Sequence, residues 1–385
     1  MIYRPLGKTG MSVSIVGLGG EYLEGQDTDA VRQVMDRAID AGVNILDIFM
    51  SEPNVRSNIG AALKGRRDKM FLQGQICSAW VEGQYTKTRD LAVCKESLED
   101  LFVRLGTDYI DIGMIHYCDT EEDMKLLEDN GIIDYCLEMK KSGRFRSLGI
   151  GCHNSTIAKK LVETDLFDVL MFSINPAMDM IYNHYSIDGF MEKVDGLKDG
   201  GEAPAQLDVD QERAELYTLC EKKGVGITVM KVYGGGRLLS ADTSPFRQAM
   251  TTSQCIQYAL SRPGVASALV GVKSVTELEE ALKYLKANDE EKDYSWIFNH
   301  IESYSGNACV YCSHCQPCPV EINIAAVTRL LDQARISGIT PEIRQAYDAL
   351  AVKASACISC GACNTRCPFG IDAMENMRQT GVLLG

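Results

Sequence analysis

The sequence predicts an α/β fold: a (β/α)8 TIM barrel followed by a small α-helical domain. Three observations predict it. Short apolar runs alternate with amphipathic segments through most of the chain, as in Asp111-Ile-Gly-Met-Ile115 and Gly226-Ile-Thr-Val-Met230. These runs are apolar on both faces, which suits strands of a parallel sheet covered by helices. Near the C-terminus the alternation gives way to two dense cysteine runs. Eight strand–helix repeats in one unit suggest closure into a barrel. A doubly wound sheet would want a G-x-G-x-x-G turn after a strand, and Gly17-Leu-Gly19-Gly20-Glu21-Tyr22 does not supply one.

The strand candidates are 14–20, 44–50, 70–76, 109–115, 147–153, 168–175, 226–232 and 267–272. Most are followed by a helical pattern, for instance 29–41, 89–105 and 122–141. Barrel connections are usually a few residues, so the long stretch from Asn175 to Glu212 is expected to be a partial lid or a surface loop. Its first half carries Tyr182, His184 and Tyr185, which could line a substrate. The acidic stretch 288–293 reads as a hinge, dividing a barrel domain at 1–287 from a C-terminal domain at 288–385. In the latter, helices over 325–334 and 341–353 would separate the two cysteine runs.

The bulk properties narrow the partners. A formal charge of -14 argues against nucleic acid, which needs a basic face. No run of about 18 apolar residues is present, so no membrane span is expected. Met1-Ile-Tyr-Arg has no charged-then-apolar signal pattern. Fifteen cysteines without such a signal point to a reducing cytoplasm and not to a disulfide scaffold.

The first cysteine run is Cys309-Val-Tyr-Cys312-Ser-His-Cys315-Gln-Pro-Cys318-Pro319; the second is Cys357-Ile-Ser-Cys360-Gly-Ala-Cys363-Asn-Thr-Arg-Cys367-Pro368. Three cysteines at two-residue gaps can wrap one corner of a cuboidal cluster, and the fourth, followed by proline, usually ligates the other cluster. The expected assignment is Cys309, Cys312, Cys315 and Cys367 for one [4Fe-4S], and Cys357, Cys360, Cys363 and Cys318 for the second. Two zinc sites are the structural alternative, since Cys-x2-Cys pairs also bind zinc. Zinc, however, has no use for two trailing Cys-Pro units. The pattern resembles a bacterial-type two-cluster ferredoxin module and implies one-electron chemistry, with a ferredoxin or other redox protein as partner.

A second resemblance covers nearly the whole chain. Met1-Ile-Tyr-Arg-Pro-Leu-Gly-Lys-Thr-Gly10 with Val13-Ser-Ile-Val-Gly-Leu-Gly19 resembles the opening of aldo-keto reductases, where a hairpin closes the barrel floor before the first strand. Gly42-Val-Asn-Ile-Leu-Asp47, Tyr109-Ile-Asp-Ile-Gly-Met-Ile-His116 and Gly143-Arg-Phe-Arg-Ser-Leu-Gly-Ile150 continue the match. A terminal cluster module also belongs to a subset of that family. The resemblance implies chemistry at the C-terminal ends of the strands, with a tyrosine acid, a lysine paired with an aspartate, and a histidine that orients a carbonyl. Asp47 and His116 match two of these positions. The tyrosine position aligns with Glu52 and the lysine position with Gln75.

The family's nicotinamide contacts are altered as well. Its Ser-Asn pair is Gly151 and Cys152 here, its glutamine is Met171, and its adenine-side asparagine is Ala281. Glycine and methionine cannot hydrogen-bond a carboxamide through a side chain, which puts NADP(H) in doubt. A phosphate could still meet Gly234 and Gly235 with Lys273 and Ser274, because amides at a helix N-terminus with a lysine bind anions. The alternative is a tight turn and an ordinary cap.

Cys77, Cys118 and Cys152 stand near the predicted mouth, where they would pack the walls or, with Asp47, hold a further metal. The leading expectation is an iron–sulfur oxidoreductase acting on a small-molecule substrate, with Asp47, Glu52 and His116 handling protons. The alternatives are an NAD(P)H-dependent reductase with substitute residues and an electron-transfer subunit without catalysis.

Overall fold

The computed structural model describes residues 1–180, 210–242, 244, 246, 248–298, 309, 315–316, 318–367 and 371–385. The strands are β1 (Tyr3–Pro5), β2 (Ser12–Ser14), β3 (Val16–Gly19), β4 (Ile45–Ile48), β5 (Phe71–Ile76), β6 (Ser78–Val81), β7 (Gln84–Lys87), β8 (Ile110–Ile115), β9 (Phe145–Cys152), β10 (Val169–Ser173), β11 (Gly226–Met230) and β12 (Val265–Gly271). Eight of them close a parallel barrel in the order β10-β11-β12-β3-β4-β5-β8-β9. Each lies within a predicted strand or overlaps one. Their residues are buried almost throughout because helices cover the outside and side chains fill the inside.

The hairpin β1–β2 pairs antiparallel and closes the floor. Leu6, Met11 and Val13 pack there against Ile45, Ile112, Val169 and Ala266 in one apolar cluster. On the outer side of the strands, Asp111 fastens the lower ends of β5, β8 and β9. It accepts from Arg67 at 2.8 Å, Arg146 at 2.9 Å and the Leu72 amide at 2.9 Å.

Two differences from the predicted elements have local causes. The helical pattern over 122–141 is two helices, Glu121–Asp129 and Ile132–Lys141. Gly131 adopts φ 71 between them, a left-handed conformation that glycine enters without penalty. The second difference is β6–β7, an antiparallel hairpin inserted after β5. Glu82 and Gly83 have φ values of 51 and 78, the paired positive angles of a two-residue type I′ turn.

Tyr294 and Ile297 pack within the barrel core, so its packing continues past the expected boundary at 287. The C-terminal domain has its own core around Ile322, Val327, Ile343, Tyr347 and Met377. Its helix Ile324–Ser337 meets the barrel helix Gln211–Lys223 through Glu221, which accepts from Arg329 at 3.2 Å and Gln333 at 2.8 Å.

The helix Pro53–Leu63 crosses the next helix, Leu91–Leu105, at Gly60. A Cβ there would fall 2.1 Å from the Arg104 carbonyl oxygen. Gly60→Ala is expected to destabilise the fold by about 1–3 kcal/mol, the usual cost of overpacking against an immovable group. Denaturant unfolding of the two proteins measures it.

Candidate active site and metal centre

The C-terminal ends of the barrel strands surround a cavity of about 270 Å³. Asp47, near the end of β4, Gln75 on β5 and His116, just past β8, form its floor. Phe49, Tyr85, Tyr117 and Met171 make much of its wall. Strand alternation puts Gln73 and Gln75 on one side of β5, facing Asp47. Gln73 Nε2 donates to Asp47 Oδ1 at 2.8 Å, and Gln75 Nε2 donates to both carboxylate oxygens at 3.0 and 3.1 Å. Thr228 Oγ1 donates to Gln73 Oε1 at 3.1 Å.

The chain of contacts continues. Gln75 Oε1 bonds His116 Nδ1, and His116 Nε2 bonds the Tyr85 hydroxyl. Tyr85 comes from β7, so the inserted hairpin carries its phenol over the mouth. Phe49 and Tyr117 pack against the imidazole, with ring centroids 5.1 and 4.7 Å away. Below the histidine, Arg89 Nη2 donates to the carbonyls of His116 at 3.1 Å and Tyr117 at 2.6 Å. Arg89 is itself held by Asp123 at 2.6 Å.

Burial governs the ionisation of this chain. It pushes the Asp47 carboxyl up to about 7, against the pull of the Gln75 and Gln73 amides. It drives His116 well below the usual imidazole range, helped by the positive neighbours Arg89 and Lys87. The Tyr85 phenol is also pushed up by burial, with Tyr117 adding to the effect.

The predicted site residues separate into those at the mouth and those elsewhere. Asp47 and His116 lie at its floor. Glu52, expected there as a proton carrier, instead caps the helix Pro53–Leu63: its Oε2 accepts from the Val55 amide at 2.7 Å, and it is not among the cavity's lining residues. Glu52 does follow β4 closely, but a carboxylate beside a helix N-terminus is drawn to the unpaired amides. Gly235 lines the cavity, while the Gly234 amide closes a turn onto Lys231 O at 2.8 Å.

At the expected phosphate cradle a carboxylate is already present. Glu277 Oε2 accepts from the Lys273 amide at 2.9 Å, and Ser274 Oγ caps the Glu277 amide at 3.3 Å. The Tyr22 ring covers Gly271, where a Cβ would fall 2.4 Å from Tyr22 Cδ2. Cys77, Cys118 and Cys152 are fully buried in the walls. Cys77 touches Cys94, with sulfurs 3.5 Å apart, and Cys152 Sγ donates to Asn154 O at 3.2 Å. Among the described residues, no three or more His, Cys, Asp or Glu side chains are grouped to hold a metal ion. Tyr182, His184 and Tyr185, expected as lid residues, lie outside the described residues, as does Cys312.

Tyr85 is the mouth residue that sequence reasoning missed. Its signal was the Glu82-Gly83 pair between two short alternating segments, Ser78-Ala-Trp-Val81 and Gln84-Tyr-Thr-Lys87.

In the C-terminal domain, Cys318, Cys357, Cys360 and Cys363 line one cavity together with Cys315. Cys318 belongs to the first cysteine run and the last three to the second. Cys367 does not line that cavity; it packs toward the barrel core and accepts the Ile371 amide at 3.4 Å. Ile322, Ile324, Met374 and Met377 complete an apolar wall. Thiolates are the usual ligands of [4Fe-4S] groups, and cysteines of both runs share this small cavity, although among the described residues their side chains are not drawn together around one metal-sized point.

The Asp47 carboxyl has a consequence for stability. Its ordinary value is 3.8 and its folded value about 7, so between those limits the folded chain keeps a proton that the unfolded chain gives up. Stability therefore falls as pH rises through that window. At about 1.4 kcal/mol per pKa unit, the full loss is on the order of 4 kcal/mol. Asp47→Asn removes the ionisable group and is expected to gain stability over the native protein at about pH 8 but not at about pH 4. Unfolding curves at both pH values measure the gap; a gap of constant size would contradict the assignment.

The chain was compared with known proteins. The Aldo/keto reductase family model matches residues 15–255, and a 4Fe-4S dicluster domain model matches residues 305–371. An uncharacterized oxidoreductase, YqkF of Bacillus subtilis, is 24% identical over 295 residues, spanning 74% of this chain and 91% of that protein. L-galactose dehydrogenase of Arabidopsis thaliana is 24% identical over 312 residues, 72% of this chain and 86% of that one. Among solved structures, the holo form of aldo-keto reductase AKR11C1 from Bacillus halodurans superposes with a TM-score of 0.59 at 22% identity. It covers 78% of this chain and 97% of its own. With the closed barrel and the thiol-lined cavity behind it, these matches place the chain in the aldo/keto reductase family, in the form that carries a C-terminal 4Fe-4S dicluster domain.

Proposed function

We propose that the chain is an iron–sulfur oxidoreductase that transforms a small organic molecule at the barrel mouth, with Tyr85 and His116 managing the proton. The observation that carries this reading is the continuous chain Asp47–Gln75–His116–Tyr85, which opens onto the cavity. The phenol is the member of the chain that presents an O–H to a substrate in the cavity. His116 orients it and stays neutral near pH 7 because burial, with the nearby Arg89 and Lys87 cations, disfavours its charged form. The wall of Phe49 and Tyr117 rings with the Met171 thioether favours a flat, weakly polar substrate.

A nicotinamide dinucleotide does not fit the residues present. Gly151 and Met171 offer no side-chain donor or acceptor to a carboxamide, and Met171 Sδ is already engaged by Gln73 Nε2 at 3.2 Å. Without such contacts a nicotinamide ring is not held in a near-attack pose. Glu277 takes the amide that a phosphate would need, and like charge would oppose an anion beside it. The thiols do fit iron–sulfur clusters: Cys318, Cys357, Cys360 and Cys363 would hold one, and Cys309, Cys312, Cys315 and Cys367 the other. Bound clusters supply one-electron chemistry.

Protein purified without oxygen should hold about eight iron atoms per chain. Cys318→Ser and Cys367→Ser, each at the end of a different run, should each remove one cluster and leave the other; iron analysis with electron paramagnetic resonance reads this. Turnover is measured with reduced viologen as donor against a panel of quinones, activated alkenes and carbonyl compounds. Viologen should support it where NADPH does not. Tyr85→Phe and His116→Phe should lower kcat by about a hundredfold or more, the scale of positioned proton transfer. Full turnover in both variants, or full rates with NADPH alone, would sink the reading.

A further inference from the structure

Two glutamines serve Asp47, and the surroundings treat them differently. Gln73 is held by Thr228, whose hydroxyl donates to its carbonyl at 3.1 Å while its NH2 faces Asp47 Oδ1 at 2.8 Å. Gln75 is buried between two groups that can each reverse their hydrogen-bond sense, the Asp47 carboxyl and the His116 imidazole. Its remaining contact, Met171 Sδ at 3.7 Å, is a weak acceptor and fixes little. Rotating a side-chain amide by half a turn exchanges donor and acceptor while leaving its shape unchanged.

With Gln73 so held, two arrangements keep every hydrogen bond within the chain Asp47–Gln75–His116–Tyr85. With Asp47 ionised, the Gln75 NH2 donates to the carboxylate and its carbonyl accepts from His116 Nδ1–H. The bare Nε2 then accepts from the Tyr85 hydroxyl. With Asp47 protonated on Oδ2, the acid O–H donates to the Gln75 carbonyl and the turned NH2 donates to a bare Nδ1. The imidazole proton then sits on Nε2 and donates to the Tyr85 oxygen, leaving the phenolic hydrogen directed to the cavity. Gln73 serves Oδ1 in both. A mixed arrangement sets two hydrogens or two lone pairs face to face in a buried site, which costs about 1–3 kcal/mol per unmade bond.

We propose that Gln75 is a positioning residue that couples the protonation of Asp47 to the tautomer of His116, and through it to the direction of the Tyr85 hydrogen bond. The arrangement ready to give a proton to a bound substrate is the one with Asp47 neutral. This last consequence rests on the proposed role of Tyr85; the coupling itself does not.

The ionisation of the two ends supports the geometry. Asp47 titrates at about 7, so both arrangements are populated near neutrality, whereas His116 is held neutral well below that. What changes at the histidine is therefore its tautomer and not its charge. The charged groups that face these residues are paired among themselves. Glu21, which acts on Asp47, lies 3.5 Å from Lys231. Arg89 and Lys87, which act on His116, are both held by Asp123, and His153 is held by Asp119 at 2.9 Å.

The test is the tautomer of His116, read by nitrogen-15 magnetic resonance on the intact protein with oxidised clusters. There are five histidines in the chain, and the His116 signals are assigned by their loss in His116→Phe. The expected result is Nε2–H at about pH 5.5 and Nδ1–H at about pH 8.5, with a midpoint near the Asp47 titration. Asp47→Asn, whose amide mimics the neutral acid, should hold Nε2–H at both values. Gln75→Leu should leave a tautomer that ignores pH. One unchanging tautomer in the native protein would overturn the coupling, as would a pH response that survives in either Asp47→Asn or Gln75→Leu. If Gln75→Leu does not fold, the native and Asp47→Asn spectra decide. A tautomer that switches in a protein whose Tyr85→Phe variant keeps full turnover would retain the coupling and reject the proposed function.

Discussion

The mouth of this barrel depends on a buried carboxylate that meets no cation among the described residues. Elsewhere the same chain pairs its buried acids with arginine: Asp111 with Arg67 and Arg146, Asp123 with Arg89, and Asp179 with Arg213 and Arg262. An acid so paired is a fixed structural tie. Asp47 is given two amides instead, and amides solvate a charge without neutralising it. Its ionisation is displaced to about 7 as a result, where a small change in surroundings changes its state.

The rest of the mouth follows from the amide that bridges it. A lysine at position 75 would be a donor only. It would settle Asp47 as a carboxylate and leave His116 Nδ1 to find an acceptor elsewhere. A glutamine there offers a donor to one neighbour and an acceptor to the other, so Asp47 and His116 become parts of one chain. The hairpin β6–β7 then supplies the phenol that ends it. The positive φ values at Glu82 and Gly83 turn β7 back over the strand ends, and register puts Tyr85 opposite Trp80. Arg89, two residues beyond β7, ties the base of the hairpin to the His116 and Tyr117 carbonyls.

The parts legible in the sequence are those whose signal is local. Eight barrel strands could be read because each is a continuous apolar run, and the cysteine runs because metal spacing is written in consecutive residues. Asp47 and His116 could be read because they stand at fixed offsets from strand ends. Tyr85 could not, because the histidine it meets is 31 positions away and its own strand has four residues. Gln75 was visible but read as the loss of a lysine, since its value depends on two partners that only the folded chain brings together. Glu52 is placed differently for the opposite reason: its partner is local, the amide three residues on, and it is not among the cavity's lining residues.

On the proposed reading, the missing lysine and the buried tyrosine are one change and not two. Hydride transfer to a carbonyl requires an acid strong enough to polarise the bond as the hydride arrives, which is why a cation beside the phenol is useful there. In this mouth burial makes the Tyr85 phenol a weaker acid than usual, with no adjacent lysine to reverse it. A weak acid is adequate when the substrate first gains an electron, because the added charge makes its oxygen far more basic. Proton transfer from a phenol to that oxygen is then easier than to the neutral substrate, without a cation. The amide bridge fits this order of events better than a lysine would, since it supplies direction to the hydrogen bonds and leaves the net charge of the mouth low before the electron arrives.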